Sequence, residues 1–188
     1  MQDRIIEGSV DLFDKKGFSK TSIQDIVDSI GVSKGTFYYY FNSKQELLRD
    51  IHLNYIRNLL VDQKVYIDDL TLSNKEKVKK IIYLIISSIK TSGKSARVFH
   101  REMRHLEEEH IKQVNLIRRE FRNNFQKIVE AGMKSGEFRS DLRSDMVTFG
   151  ILGMANRTYT WYDPDGDVSA EELVDIYMDI LVNGLKGS

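Results

Sequence analysis

The stretch Thr21-Ser22-Ile23-Gln24-Asp25-Ile26-Val27-Asp28-Ser29-Ile30-Gly31-Val32-Ser33-Lys34-Gly35-Thr36-Phe37-Tyr38-Tyr39-Tyr40-Phe41-Asn42-Ser43-Lys44 decides how the chain is read. Ile23, Ile26, Val27 and Ile30 recur at helical spacing. A helix is therefore expected from Thr21, whose hydroxyl caps it while Gln24 reaches back, and it stops at Gly31. Val32 fills a turn, Ser33 caps a further helix through Thr36 to Tyr40, and Asn42 breaks it. Helix, glycine-containing turn, helix is the arrangement that lays one helix on a DNA backbone and offers the first residues of the second to the major groove. Ser33-Lys34-Gly35-Thr36 is the expected reading edge. Small and hydroxyl side chains let the backbone approach, Lys34 reaches a guanine edge or a phosphate, and a helix N-terminus favours phosphate oxygens. Tyr38 and Tyr39 carry phenols that suit phosphates, and Lys44, at the start of the next helix, adds a backbone anchor. Phe37 and Phe41, apolar and helically spaced, read as core; Tyr38 and Tyr40 fit either that core or the surface.

Helical spacing continues on both sides. Upstream, Ile5, Ile6, Ser9, Val10, Leu12 and Phe13 form a helix that Gly17 ends. Downstream, Ser43 and Glu46 form a capping box, and Leu47, Leu48, Ile51, Tyr55, Ile56, Leu59 and Leu60 carry a long helix to about Asp69. Val78, Ile81, Ile82, Ile85, Ile86 and Ile89 describe a helix apolar enough for the inside of a bundle, expected to end in a Gly-Ser gap at 92–95. Helices are expected again over 96–106 and over 107–134, the latter interrupted by Gly132 and Gly136, and finally over 142–162 and 169–186. Asp163-Pro164-Asp165-Gly166 is a turn, after which Ser169 and Glu172 form another capping box. Strand alternation and internal repeats are lacking. The expectation is an all-α chain: a three-helix helix-turn-helix domain over 1–48, then a helical bundle over 49–188.

Composition excludes several classes. The 188 residues are 41% hydrophobic and 30% charged, which fits a folded chain and neither a disordered nor a fibrous one. Without cysteine there is no disulfide, zinc-thiolate site or thiol nucleophile. The apolar run Ile81 to Ile86 is far short of the roughly 20 residues that span a bilayer, and with no secretion signal the expected location is the cytoplasm. Net charge is zero, and residues 1–50 hold 7 basic and 8 acidic side chains, so DNA affinity is expected to need two copies of the chain. No enzyme, metal or cofactor is expected. His100, His105 and His110 are five apart, which turns each about 140° from the last on a helix. Asp163, Asp165 and Asp167 suggest a calcium loop, but Val168 and Val174 stand where it needs glycine and glutamate. There is no phosphate-cradling glycine loop, and Ser87, Ser88 and Ser92 lack a partnered base.

The run Leu12-Phe13-Asp14-Lys15-Lys16-Gly17-Phe18-Ser19-Lys20-Thr21-Ser22-Ile23-Gln24-Asp25-Ile26, then Gly31 to Phe41 and Lys44-Gln45-Glu46-Leu47-Leu48, closely resembles the tetracycline-repressor (TetR) family of bacterial regulators. The likeness covers residues 4–50. It implies a homodimer with an N-terminal operator-binding domain and a C-terminal ligand-binding and dimerisation domain, usually a repressor released from a palindromic operator by a small-molecule inducer. On matching positions, Thr21, Ser22, Ser33, Lys34, Gly35, Thr36, Tyr38, Tyr39 and Lys44 would touch DNA. Two departures stand out: Val27 and Ile30 replace the usual alanines, which should change packing only, and no basic arm precedes Arg4.

For the dimer contact, Leu173, Tyr177, Ile180 and Gly184 form one apolar row on the last helix, with Val174, Met178, Leu181 and Leu185 beside it. With Val147, Ile151, Ala155 and Thr158 they fit a four-helix interface of two helices from each subunit; a buried helix within a monomer is the alternative. On the other side of the 142–162 helix, Met146, Gly150, Gly153, Arg157 and Trp161 share a face. Two readings fit these residues. Arg157 and Trp161 offer a guanidinium and a flat ring to an anionic ligand, or the glycines admit close helix packing with Arg157 at its rim. Tyr83, Phe99, Met103, Phe121, Asn124 and Phe125 are candidate walls of the ligand site. Arg97, Arg101, Arg104, Arg118, Arg119 and Arg122 form either an electropositive surround or a solvated face paired with Glu102, Glu107, Glu108 and Glu109. The segment Asn156 to Gly166 resembles the branch of the family that responds to acyl-CoA thioesters, which implies such an inducer and a link to fatty acid metabolism. Within the family the rival is a drug-efflux regulator that binds cationic or aromatic drugs; outside it, a helical protein-interaction module without DNA binding.

Overall fold

The computed structural model describes residues 1–184. In these the periodicities become eight α-helices: α1 (Gln2–Lys16), α2 (Ile23–Ile30), α3 (Lys34–Tyr40), α4 (Lys44–Asp68), α5 (Asn74–Arg101), α6 (Glu108–Ser135), α7 (Ser144–Arg157) and α8 (Ala170–Asn183). Short 3-10 turns occupy Met103–His105 and Thr158–Thr160, and there is no strand among the described residues.

By packing, the chain forms two units. One joins residues 1–57 to 92–117, the other joins 58–91 to the residues from 118 onward. In the first unit Ile5, Phe13, Ile26, Val27, Phe37, Phe41, Leu47 and Leu48 are buried, which is the expected helix-turn-helix core. Phe18 sets its ring edge to face against Phe13 at 5.3 Å. The cap of α2 is one residue later than expected. Ser22 Oγ accepts the Asp25 N–H at 3.1 Å while the Ser22 N–H donates to the Asp25 carboxylate at 2.8 Å. Gly31 takes the left-handed conformation (φ 70°, ψ 41°), and the Val32 N–H reaches back to the Val27 carbonyl at 3.0 Å, closing α2 in a Schellman turn.

The expected break at 92–95 is corrected. α5 runs through it, and only Ser92 leaves helical geometry (φ −131°, ψ 25°). Glycine and serine are poor helix formers, but the cost of about 1 kcal/mol for a glycine is offset by tertiary contacts of the residues that follow. Lys94 Nζ meets Asp11 at 2.8 Å, Arg97 clasps Asp14 with two bonds of 2.8 and 2.7 Å, and Arg101 donates to the carbonyls of Phe13 and Asp14 at 3.1 and 2.8 Å. The second half of α5 is thereby stitched along α1.

In the second unit Ile81, Ile82 and Ile86 are fully buried, together with Phe125 and Val129 of α6 and Ala155 of α7. α6 continues through Gly132, where a Cβ would overlap the ring of Phe138, and ends before Gly136 (φ 82°). α7 stops at Arg157, five residues short of the expected 162, because the chain tightens into the 3-10 turn. Ser169 caps α8 by accepting the Glu172 N–H at 3.1 Å, as expected, and Leu185 of the expected dimer row lies outside the described residues.

Candidate nucleic-acid interface and ligand cavity

Local chemistry shapes the start of α3. Ser33 Oγ accepts the Thr36 N–H at 3.1 Å and lies 3.1 Å from its hydroxyl, which leaves the earlier N–H groups directed outward. Ser22, Ser33, Lys34, Gly35, Tyr38 and Tyr39 are exposed, Tyr39 to 81%, and Thr36 is half-buried. No acidic residue lies between positions 29 and 45. The nearest acids on α2 are engaged locally: Asp28 accepts from Gln24 at 2.7 Å, and the Ser22 hydroxyl and N–H hold the Asp25 carboxyl down to about 2. This edge can meet phosphates without a facing carboxylate.

Two of the candidate residues behave differently from expectation. Thr21 does not cap α2; it is buried, 1% exposed, and its hydroxyl donates to the Gly17 carbonyl at 2.9 Å. The Lys44 ammonium donates to the carbonyls of Phe18 and Thr21 at 2.9 and 2.6 Å and sits 4.3 Å over the Phe18 ring. Burial lowers its pKa, and its donors are directed at the α1–α2 corner instead of at a phosphate. Arg4, the first basic residue, donates to the Ile30 carbonyl at 3.1 Å, so it ties α1 to α2 and forms no arm. Sequence spacing placed Thr21 and Lys44 correctly along the chain, but it could not show that the fold brings the Lys44 ammonium onto the Phe18 and Thr21 carbonyls.

On α7 the two expected faces exchange places. Met146, Phe149, Gly150, Gly153 and Arg157 are exposed, and nothing lies within 4 Å of where a Cβ would stand at either glycine. Val147, Ile151 and Ala155, expected at the dimer contact, point into the unit, and Ala155 is fully buried. α7 is apolar on both sides, so periodicity alone could not orient it. On α8, Leu173 and Tyr177 are buried, the Tyr177 hydroxyl 3.3 Å from that of Thr158, whereas Ile180, Leu181 and Gly184 are exposed. Arg157 and Trp161 do not share a helical face, because the 3-10 turn intervenes and the Trp161 backbone is no longer helical (φ −138°, ψ −21°).

The other expected ligand walls fall in both units. Tyr83 donates to Glu171 at 2.8 Å, which raises its pKa, while Phe121 and Phe125 are buried and Asn124 is half-buried. Phe99 packs on Tyr55 at 4.8 Å and Met103 is half-buried, both in the first unit. A cavity of about 150 Å³ lies elsewhere, between α5, α6, α7, α8 and the 137–142 loop. Val78, Val129, Met133, Phe138, Ile151 and Met178 form its apolar body, and Leu142, Val147, Leu181 and Val182 its remaining apolar wall. No short-range signal marks these residues, since they come from five segments of the chain.

Residues 5–51 match the family "Bacterial regulatory proteins, tetR family", and residues 71–185 match "Tetracyclin repressor-like, C-terminal domain". The chain is 24% identical to the HTH-type transcriptional repressor KstR2 of Rhodococcus jostii over 182 residues, covering 96% of this chain and 89% of that one. Its fold is similar to that of the TetR family regulator PfmR from Thermus thermophilus (TM-score 0.90, 26% identity, 98% and 100% of the two chains). It is also similar to that of the regulator FadR from Bacillus subtilis in complex with stearoyl-CoA (TM-score 0.84, 24% identity, 99% and 100%).

Proposed function

Because the chain belongs to the TetR family of bacterial regulatory proteins, we propose that it represses transcription as a homodimer on a palindromic operator and is released by an acyl-CoA thioester. Members of this family are ligand-responsive DNA-binding regulators and not enzymes, and this chain is one of them. The observation that carries the DNA reading is the capped, acid-free start of α3, where Ser33, Lys34, Gly35, Tyr38 and Tyr39 stand exposed side by side. Residues 1–48 read DNA in this scheme, and 49–188 bind ligand and partner. No helix among the described residues is long and apolar enough to cross a membrane, and a regulator of chromosomal promoters works in the cytoplasm.

Two reading helices must lie about one duplex turn, ~34 Å, apart to reach successive major grooves. The face best suited to hold two copies together is the exposed side of α7, Met146, Phe149, Gly150 and Gly153, together with the exposed Ile176 and Ile180 of α8; the Arg122 guanidinium lies 5.1 Å over the Phe149 ring. Exposed helical glycines cost about 1 kcal/mol each and bring backbones into close approach, which is consistent with a helix of a second copy crossing there. The acyl-CoA assignment is supported by the 156–166 segment and by the stearoyl-CoA complex of the FadR neighbour. Arg157 and Trp161, both exposed, suit the polar end of such a ligand.

The test is retardation of the chain's own promoter DNA, followed by titration with stearoyl-CoA and short-chain acyl-CoAs. Retardation that an acyl-CoA abolishes, and that CoA alone does not, is the expected result. DNA binding indifferent to every acyl-CoA would refute the inducer, and absence of retardation would refute the regulator.

A further inference from the structure

We propose that Gln45 is a positioning residue for operator recognition: it touches no DNA, yet it fixes the half-site spacing that a dimer of this chain accepts. This role rests on the operator reading given above and adds a determinant of specificity to it. Gln45 is the second residue of α4, and its half-buried amide takes two main-chain groups just before α6. Nε2 donates to the His105 carbonyl at 2.7 Å, and Oε1 accepts the Glu107 N–H at 3.3 Å. A carbonyl and an N–H are met by opposite ends of one amide, and the reverse orientation would set oxygen against oxygen. Lys44, the residue before it, binds elsewhere: its ammonium holds the Phe18 and Thr21 carbonyls of the turn that leads into α2. Turn and connection are tied to each other too. The Phe18 N–H donates to the buried Glu102 carboxylate at 3.4 Å, and the Ser19 hydroxyl lies 3.5 Å from His105 Nδ1.

These ties close a triangle. The start of α4 is one corner, the 18–21 turn the second and the 102–107 connection the third, and all three lie in the first packing unit. Three pinned sides are rigid, whereas two allow a hinge. The Gln45 side joins the start of α4 to the start of α6, and it carries no charge, so salt does not screen it. Both helices run on from the first unit into residues of the second: α4 continues to Asp68 and α6 to Ser135. The partner contact proposed above lies on α7 and α8, in the second unit, while the reading edge lies in the first. Whatever separation the two reading edges of a dimer keep is therefore carried along helices such as these. Half-sites on successive turns are about 34 Å apart, and each added base pair moves one of them by about 3.4 Å and turns it by about 35°. A rigid pair of readers cannot follow that change, and a hinged pair can. Loosening α4 against α6 at Gln45 thus exchanges affinity at the correct spacing for tolerance of wrong ones.

The experiment uses the full chain, with a random duplex library as its probe. Wild type and Gln45→Met, which keeps side-chain length and removes both bonds, each select duplexes, and the half-site sequence and spacing of the enriched ones are read. Wild type is expected to return inverted half-sites at one spacing, and Gln45→Met the same half-site at that spacing and at neighbouring ones. On synthetic duplexes, the wild-type penalty for one added central base pair should shrink about tenfold in Gln45→Met, on the order of the effect of one mismatched base pair. The salt slope of binding should stay unchanged, because no phosphate contact is removed. Gln45→Glu keeps the acceptor for the Glu107 N–H and loses the donor, so its tolerance should lie between the two. A Gln45→Met chain with a lower melting temperature but the wild-type spacing would overturn the positioning role and leave an ordinary stabilising bond. A changed half-site sequence or a shallower salt slope would overturn it in favour of a direct DNA contact. Wild type that enriches no inverted pair would refute the operator reading itself, whereas one sharp spacing shared by wild type and both variants refutes only the role of Gln45.

Discussion

Ile30 presses on α1 at the one place where α1 has no side chain. A Cβ at Gly8 would stand 2.5 Å from the Ile30 γ-methyl, too close for any real contact. The bulk that replaces alanine at 30 is therefore accommodated by a glycine at 8, so the departure from the family pattern is local and matched. Gly8→Ala should destabilise the helix-turn-helix by about 1–3 kcal/mol through overpacking, in spite of the better helix propensity of alanine. Gly8→Ala with Ile30→Ala should recover most of that loss, measured by chemical denaturation. If Gly8→Ala alone is neutral or stabilising, the close approach is wrong. Lys34 and Lys44 should also part company. Lys34→Ala should lower the magnitude of the salt slope of DNA binding by about one, as expected for a phosphate or base-edge contact. Lys44→Ala should instead lower the melting temperature, because the Thr21 carbonyl loses its ammonium donor and the Phe18 carbonyl is left with the Thr21 N–H alone. Asp25 supplies a pH signature. Its carboxyl falls from 3.8 to about 2 on folding, so its contribution is present above about 3.8 and is lost as pH falls toward 2. Ser22→Ala removes the hydroxyl and should flatten acid unfolding in that window.

At the scale of elements, α5 and α6 show tertiary contacts overriding local preference. The Gly-Ser stretch at 92–95 reads as a break, yet the helix resumes past a single kinked residue, where Lys94 and Arg97 pair with Asp11 and Asp14. Arg97 lies on a partly exposed pair, so Arg97→Met should cost only about 1 kcal/mol, but it should also loosen α1 against α5. Hydrogen exchange of the α1 amides is the measurement, and unchanged protection would count against the stitch. Gly132 is the corresponding feature in the second unit. Gly132→Ala forces Phe138 off its seat against α6, and the expected outcome is a lower melting temperature with helix content unchanged by circular dichroism. The capping residues of α2, α3 and α8 were readable to within one position, since a cap depends on side chains only three residues apart.

For the whole molecule, the number of subunits decides whether the reading edge functions at all. A half-site in a chain whose first 50 residues carry no positive excess has little non-specific affinity to draw on. Phe149→Glu should give a single 21.9 kDa species in sedimentation and no retardation of operator DNA, with the melting transition retained. A dimeric Phe149→Glu variant would move the interface elsewhere. What could be read from the chain alone was whatever rests on near neighbours: helical periods, glycine stops, serine caps, and the exposed Ser33 to Tyr39 edge that marks a reader of DNA. Orientation was different. Both sides of α7 are apolar, so only packing against α5, α6 and α8 decided that Val147 and Ile151 turn inward while Gly150 and Gly153 face out. Only the folded corner showed that the Lys44 ammonium is spent on two carbonyls, because a hydrogen bond spanning more than twenty residues leaves no trace in local spacing.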